Sequence, residues 1–320
     1  MTPKLYMAPL QGVTNAIYRE IYSKFFTGYD RALAPFTKSH KTHGVKKSSL
    51  RDILPERNHT SFALIPQILS KSSVEIIALA TSMHHLGYPV VNWNLGCPLP
   101  KIRRKQRGSG LLPFGDHIVQ ILEDVIPAIR NQISIKVRLG CEDNHDLLRL
   151  LPRLDVFPLT EIVIHPRTGQ QMYSGQTDLA IFEECLKITC HKIVYNGDIK
   201  TAPDYRQLAN RFPTVQRWMI GRGGVINPFL PELIKQPKYL STGDKFEKFL
   251  AFQQAIFEAY RHELSGPGHL LGKIKEIWAY WAKAFSNKDD VLKSVTRARS
   301  VAQYQKAIDR IRKRPESFML

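Results

Sequence analysis

Lys192-Ile193-Val194-Tyr195-Asn196-Gly197-Asp198 and, after a helical stretch at 202–211, Arg217-Trp218-Met219-Ile220-Gly221-Arg222-Gly223-Gly224 decide how this chain folds. Each is a short run of β-prone residues that stops at glycine and polar side chains. Working back toward Met1, the same unit recurs. Further β-prone runs fall at 5–10, 32–36, 62–69, 90–95, 133–139 and 161–165, which makes eight in all. Helical stretches separate or follow most of them, at 15–24, 72–86, 115–130, 146–154, 179–187, 202–211 and 228–235. In the third of these, Ile118, Ile121, Leu122, Val125 and Ile129 share one face. Thr14 or Asn15, and Ser72 or Ser73, stand where helix caps belong. Alternation of this kind over residues 1–241 predicts an α/β fold, a (β/α)8 TIM barrel. The rival is a doubly wound dinucleotide fold, but no GxGxxG opens a helix after the first strand.

Past Pro237 and Gly243 the pattern changes, and no strand-like run follows. Stretches 246–264, 269–285 and 291–314 read as three long helices, so residues 242–320 are expected to form a small all-α helical bundle. The third helix is expected to turn Leu292, Val295, Ala298, Ala302, Ile308 and Ile311 inward. Lys293, Arg297, Arg299, Lys306, Arg310, Arg312, Lys313 and Arg314 would then decorate its outside.

Charge narrows the partners. Lys and Arg number 46 against 28 Asp and Glu, a net charge of +18 that favours a polyanion such as nucleic acid. Hydrophobic residues make up 43%, enough for a core, and no stretch approaches the ~20 apolar residues of a membrane span. The four cysteines form no CxxC pair and no zinc-spaced cluster, so no metal is expected. With no leader-like start at Met1, the cytoplasm is the expected compartment.

Chemistry in a TIM barrel gathers at the C-terminal ends of its strands. Those ends carry Ala8-Pro9, Gln67, Asn92-Trp93-Asn94-Leu95-Gly96-Cys97-Pro98, Lys136 with Arg138, His165-Pro166-Arg167-Thr168 and the two opening segments. The glycine loops at 196–198 and 221–224 can close backbone N–H groups around a phosphate, of a flavin mononucleotide or a sugar phosphate. An ordinary tight barrel loop is the plain alternative. Lys136, between Ile135 and Val137, points into the barrel, where a lysine needs an anionic partner. A reduced flavin is one such partner, and a structural salt bridge is the other reading. Cys97 is the kind of residue that more often fills a core. Its place at a catalytic strand end leaves a nucleophile or a proton donor open.

Together these segments resemble the tRNA-dihydrouridine synthase family of bacterial type. The resemblance rests on Met7-Ala8-Pro9, Gln67, Asn94-Leu95-Gly96-Cys97-Pro98, Lys101 with Gly108-Ser109-Gly110-Leu111-Leu112, and Lys136-Val137-Arg138. It continues through His165-Pro166-Arg167-Thr168 with Tyr173 and Gly175, Asn196-Gly197-Asp198-Ile199, Gly221-Arg222-Gly223, and Lys275 with Trp278. Nearly the whole chain is covered. One departure is Asn92, where the family usually has Asp.

The resemblance implies an FMN-dependent, NADPH-driven reduction of the C5=C6 bond of uridines in the D-loop of tRNA. Hydride would pass from flavin N5 to C6, and Cys97 would protonate C5 as general acid. It implies Ala8, Pro9, Gln67, Lys136, His165, Asn196, Gly197, Asp198, Gly221 and Arg222 for the cofactor. It implies Asn94, Lys101, Arg103, Arg104, Arg167 and Tyr173 for the RNA, with the Asn94 amide both donating to and accepting from a uracil edge. A proton donor must be a thiol, and the nearby run Lys101, Arg103, Arg104, Lys105, Arg107 would lower its pKa if it pointed inward. The run is therefore expected to face tRNA phosphates. The target uridine must be turned out of the folded RNA. The family's usual targets are U16, U17 and U20, with a lean toward U16, and a monomer is expected. His40, His43, His84 and His85 carry no motif and are expected at the surface. Two rivals remain: an FMN-dependent reductase of a small free pyrimidine, which leaves the +18 unexplained, and a flavin-free RNA-binding module.

Overall fold

The computed structural model describes residues 2–38, 45, 47–236 and 241–320. His40, His43 and Pro237 lie outside the described residues; His85 is exposed, and His84 is half-buried. Nine strands lie parallel in one sheet: β1 (Lys4–Met7), β2 (Arg31–Leu33), β3 (Ala63–Ile65), β4 (Gln67–Ile68), β5 (Val90–Leu95), β6 (Gln132–Gly140), β7 (Ile162–Thr168), β8 (Ile193–Tyr195) and β9 (Arg217–Ile220). Their order is β3-β2-β1-β9-β8-β7-β6-β5-β4. The two end strands are halves of one expected strand, interrupted at Pro66, which has no N–H to give the ladder. The Pro66 carbonyl still accepts from the Asn92 N–H at 2.9 Å, so the sheet comes round on itself as a TIM barrel.

Strand periodicity stacks the barrel interior in layers. At the lower end Glu161 accepts from the Tyr6 hydroxyl at 2.9 Å and lies 3.6 Å from a nitrogen of Arg31 and of Arg217. Above it Leu33, Ile65, Val163, Val194 and Met219 fill the middle, none more than 4% exposed. On β6, Ile133, Ile135, Val137 and Leu139 join the core shared with the surrounding helices, which turns Ser134, Lys136 and Arg138 inward. Gln67, Asn94, Lys136, His165 and Asn196 thus form a polar upper layer.

The helices begin where side chains can satisfy their first N–H groups. Asn15 accepts from Tyr18 N, Ser72 from Glu75 N, and Thr201 forms a capping box with Asp204. Three expectations need correction. The stretch 115–130 is helical only over Gly115–Val125, because Pro127 ends it in a 3-10 turn. The stretch 228–235 starts its helix at Leu230, and a separate short helix, Arg222–Ile226, follows the glycine loop. The single helix expected at 291–314 is two, Lys288–Thr296 and Val301–Arg312. Lys275 donates to the Ala298 carbonyl at 2.7 Å at that break, and Ser300 caps the new helix. The break rephases the pattern, so Ala302 is exposed and Tyr304 takes its place inside.

The helix Thr242–Glu263 packs on the helix Ala16–Phe25 of the barrel. Phe252 is the joint: its ring lies 5.0–6.3 Å from those of Tyr18, Tyr22, Phe25 and Phe26. Phe252→Ala is expected to cost about 3–5 kcal/mol of stability. Urea unfolding checks this, and a loss below about 1 kcal/mol would show that the joint collapses without consequence.

Candidate active site

Cys97 sits in a turn held from both sides. The Asn94 side-chain oxygen accepts from the N–H groups of Gly96 (3.0 Å) and Cys97 (2.9 Å). The Cys97 carbonyl accepts from the Ser109 hydroxyl at 3.0 Å. Gly108, at φ +59°, is needed there: any Cβ would lie 2.8 Å from the Cys97 Cβ. Burial pushes the Cys97 thiol above its ordinary pKa, against the opposing pull of the Leu99 N–H and the charges of Lys38, Arg138 and Lys136. The group is therefore a thiol at neutral pH, equipped to give a proton.

The basic run after Cys97 does not act as one. Lys101, Arg104 and Lys105 are exposed, as expected. Arg103 turns inward beside Cys141, its Nη1 3.8 Å from that sulfur, and its buried Nε has no hydrogen-bond partner among the described residues. Arg107 pairs with Glu75 at 3.3 Å. For these two the expected outward direction is corrected: a half-buried carboxylate and a sulfur draw them in.

Asn94 is also more committed than expected. Its oxygen is spent on the Cys97 turn, and its nitrogen donates to the Gln67 Oε1 at 2.7 Å. One N–H remains for a ligand, and the acceptor role toward uracil falls away. Gln67 donates in turn to Asn92 Oδ1 at 2.8 Å, and Asn92 to the Ser134 Oγ at 2.9 Å.

Lys136 rises from β6 into the mouth. Burial, helped by Arg138, pulls its pKa down to about 7, and no carboxylate among the described residues acts on it. His165 is held well below its ordinary pKa by burial and by the charges of Arg138, Lys136, Arg167 and Arg222, so it is neutral. Its Nε2 accepts from Arg167 Nη1 at 3.1 Å, which leaves the ring hydrogen on Nδ1. Arg167 also donates to the carbonyls of Ser174 (3.2 Å) and Gly175 (2.7 Å) and to Asp198 (2.5 Å). Only 1% exposed, it is not free for an RNA phosphate; it holds the loop that carries Tyr173. Tyr173 stands 45% exposed at the rim, with the guanidinium groups of Arg222 and Arg138 at 4.7 and 5.3 Å from its ring centre.

The far side of the mouth brings the two glycine loops together. Burial works to raise the pKa of Asp198, but Arg167, Lys200 and Arg222 outweigh it and hold the carboxyl below its ordinary range. Asn196 donates to the Met219 carbonyl at 2.9 Å, tying β8 to β9. Gly223 passes so close to the preceding loop that a Cβ would lie 2.1 Å from the Ile199 oxygen. Gly221 lies beside Ala8, its ideal Cβ position 3.6 Å from the Ala8 methyl. Two residues had no role in the sequence reading and stand in the site. Arg138 donates to the carbonyls of Gly96 (3.0 Å) and Thr168 (2.8 Å) and so ties the Cys97 turn to the Arg167 strand. Ser134 ends the amide chain. The alternation 134-136-138 on β6 was the signal for both.

Among the described residues, Asp155, Cys190 and His191 are grouped closely enough for a metal. They lie away from this mouth, where His191 Nε2 donates to the last carbonyl of the helix Asp146–Leu154 at 3.0 Å. A helix-end clasp accounts for them. No helix among the described residues is long and apolar enough to cross a membrane.

The chain is similar to known proteins in sequence and in fold. tRNA-dihydrouridine synthase B of Pasteurella multocida is 27% identical over 71% of this chain and 67% of its own length. A probable tRNA-dihydrouridine synthase of Rhodobacter capsulatus is 24% identical over 85% and 83%. The tRNA-dihydrouridine(16) synthase of Neisseria meningitidis is 26% identical over 73% and 71%. Among solved structures, the old yellow enzyme homologue of Zymomonas mobilis superposes with a TM-score of 0.55 at 14% identity, covering 74% of this chain and 90% of its own. Morphinone reductase does so with 0.53 at 11%, covering 74% and 87%; both likenesses concern the fold. The sequence pattern described as Dihydrouridine synthase (Dus) matches residues 6–312, and the chain belongs to that family.

Proposed function

We propose that this barrel mouth holds FMN and, with NADPH as reductant, reduces the C5=C6 bond of uridines in the D-loop of tRNA. One observation carries the reading: the buried Cys97 thiol and the half-buried Lys136 amine, on which no carboxylate among the described residues acts, share one mouth. Lys136 is also what fits the flavin, because an anion beside it would favour the charged form that burial and Arg138 disfavour. When bound, the flavin supplies the hydride for C6. Cys97 gives its proton to C5 on the same uracil. Gln67 keeps one Nε2 hydrogen for the flavin ring, and neutral His165 can donate from Nδ1 without adding charge. Ala8, Pro9, Asn196, Gly197, Asp198, Gly221 and Arg222 hold the ribityl phosphate end. Lys101 and Arg104 meet RNA phosphates, while Tyr173 offers a ring to the turned-out base. Arg103 and Arg167 serve the RNA indirectly, through the loops they brace.

Residues 1–241 are read as the catalytic barrel and 242–320 as the tRNA-binding domain of a cytoplasmic monomer. Lys293, Arg297, Arg299, Lys306, Arg310, Arg312, Lys313 and Arg314 are all exposed. Changing Lys306, Arg310 and Arg314 to Gln is expected to flatten the salt dependence of tRNA binding by roughly 0.7–0.9 in log–log slope for each phosphate left unneutralised. Binding titrations across salt concentrations check this, and an unchanged slope moves the RNA elsewhere.

The deciding experiment incubates the purified protein with NADPH and unmodified tRNA. A yellow protein that adds the mass of two hydrogens to a mapped uridine supports the reading. A yellow protein that oxidises NADPH and leaves tRNA unchanged points to a small free pyrimidine instead.

A further inference from the structure

We propose that Asn92 and Ser134 are positioning residues for Cys97, the anchor of a one-way file of hydrogen bonds that fixes the Cys97 turn and the Gln67 amide together. The proposal rests on the reading that Cys97 gives a proton at this mouth.

The file can be followed link by link. The N–H groups of Gly96 and Cys97 donate to Asn94 Oδ1, Asn94 Nδ2 to Gln67 Oε1, Gln67 Nε2 to Asn92 Oδ1, and Asn92 Nδ2 to Ser134 Oγ. The Ser134 hydroxyl ends the file on the Val91 carbonyl at 3.3 Å. Gln67, Asn92, Asn94 and Ser134 are all buried. The strand register puts them there: Gln67 pairs with Asn92 across β4 and β5, and Asn92 with Ser134 across β5 and β6.

The direction of the file is forced at the turn, and the Val91 carbonyl agrees with it at the other end. Backbone N–H groups can only donate, and a carbonyl can only accept. With the turn fixing Asn94, and each amide fixing the next, each amide in the file has one admissible orientation. A side-chain amide without such neighbours could flip and exchange its donor for its acceptor. Three amides locked in series therefore hold the Cys97 backbone and choose which end Gln67 keeps free for the mouth. Proton transfer depends steeply on such placement.

Asn92 is the informative position. It receives one donor, from Gln67, and faces a hydroxyl, which can turn to give or take a hydrogen. A carboxylate at 92 still accepts from Gln67, and the Ser134 hydroxyl can turn from Val91 to donate to it, so the links from Gln67 to the Cys97 turn keep their direction. Leucine keeps the volume and ends the file.

The test compares Asn92→Asp, Asn92→Leu and Ser134→Ala in the full chain. One reading is the rate at which iodoacetamide alkylates Cys97 in flavin-free protein, mapped by peptide mass. The other is dihydrouridine formation. Asn92→Asp is expected to stay within about threefold of the parent in both, while Asn92→Leu shifts alkylation by about fivefold or more and lowers product formation about tenfold or more. Ser134→Ala falls between them. A role in packing alone predicts the opposite order, because a buried carboxylate is then the worse substitution. That opposite order, or a parent-like Asn92→Leu, overturns the proposal. If Asn92→Leu does not fold, Ser134→Ala decides: parent-like alkylation and product formation overturn the file, and a loss in both with Asn92→Asp unaffected supports it. A parent that makes no dihydrouridine would defeat the functional reading, while the alkylation series would still judge the file.

Discussion

Cys97→Ala lowers the rate of dihydrouridine formation by about 10²–10⁴-fold, the usual worth of a placed general acid, and leaves flavin content unchanged. The flavin should stay because Cys97 touches the turn, whose backbone is held by Asn94 and Ser109, and not the phosphate loops. The pH dependence carries a sign. The thiol pKa is raised, and the acid works only while protonated. Product formation in the parent should thus be flat through neutral pH and fall only above about 8.5, the ordinary thiol value. Single turnovers with pre-reduced enzyme measure this without interference from the reductant. An Ala variant within tenfold of the parent would remove Cys97 from the mechanism.

Lys136→Met is expected to weaken flavin binding. A hydrogen bond to a charged group is worth roughly 1.5–3 kcal/mol, which corresponds to a loss of affinity of about 10- to 150-fold. Flavin fluorescence titration reads that loss, and unchanged affinity would assign Lys136 elsewhere. The flavin-free protein offers a second check. Lys136 titrates near 7 when folded and near 10.4 in the unfolded chain. Between those values the unfolded chain holds the extra proton, so the lysine's contribution to stability rises with pH. Urea midpoints at pH 7 and pH 9 should differ less in Lys136→Met than in the parent, since methionine has no proton to exchange.

The barrel was legible because its signal is local. Strand runs, helix caps at Asn15 and Ser72, and glycine loops each occupy a few neighbouring residues. The inward positions of the mouth followed from a period of two. The breaks at Pro66 and Ser300 lay in stretches whose polarity reads as continuous, so a period alone passed over them. Side-chain commitments were the least legible. Arg167 spends its nitrogens on Ser174, Gly175, His165 and Asp198, and Asn94 spends its oxygen on the turn. Those partners include residues 31 positions away for Arg167 and 27 for the Asn94–Gln67 link, beyond any local pattern.

The Glu161 cluster and the apolar layer above it close the lower end of the barrel. A vessel sealed at the base has a single doorway. On the proposed function, a small reductant and a bulky polyanion that both need the same ring would then take turns, one leaving before the other enters. Traffic through such an enzyme follows the logic of a turnstile, and two-substrate kinetics would trace parallel lines, not converging ones.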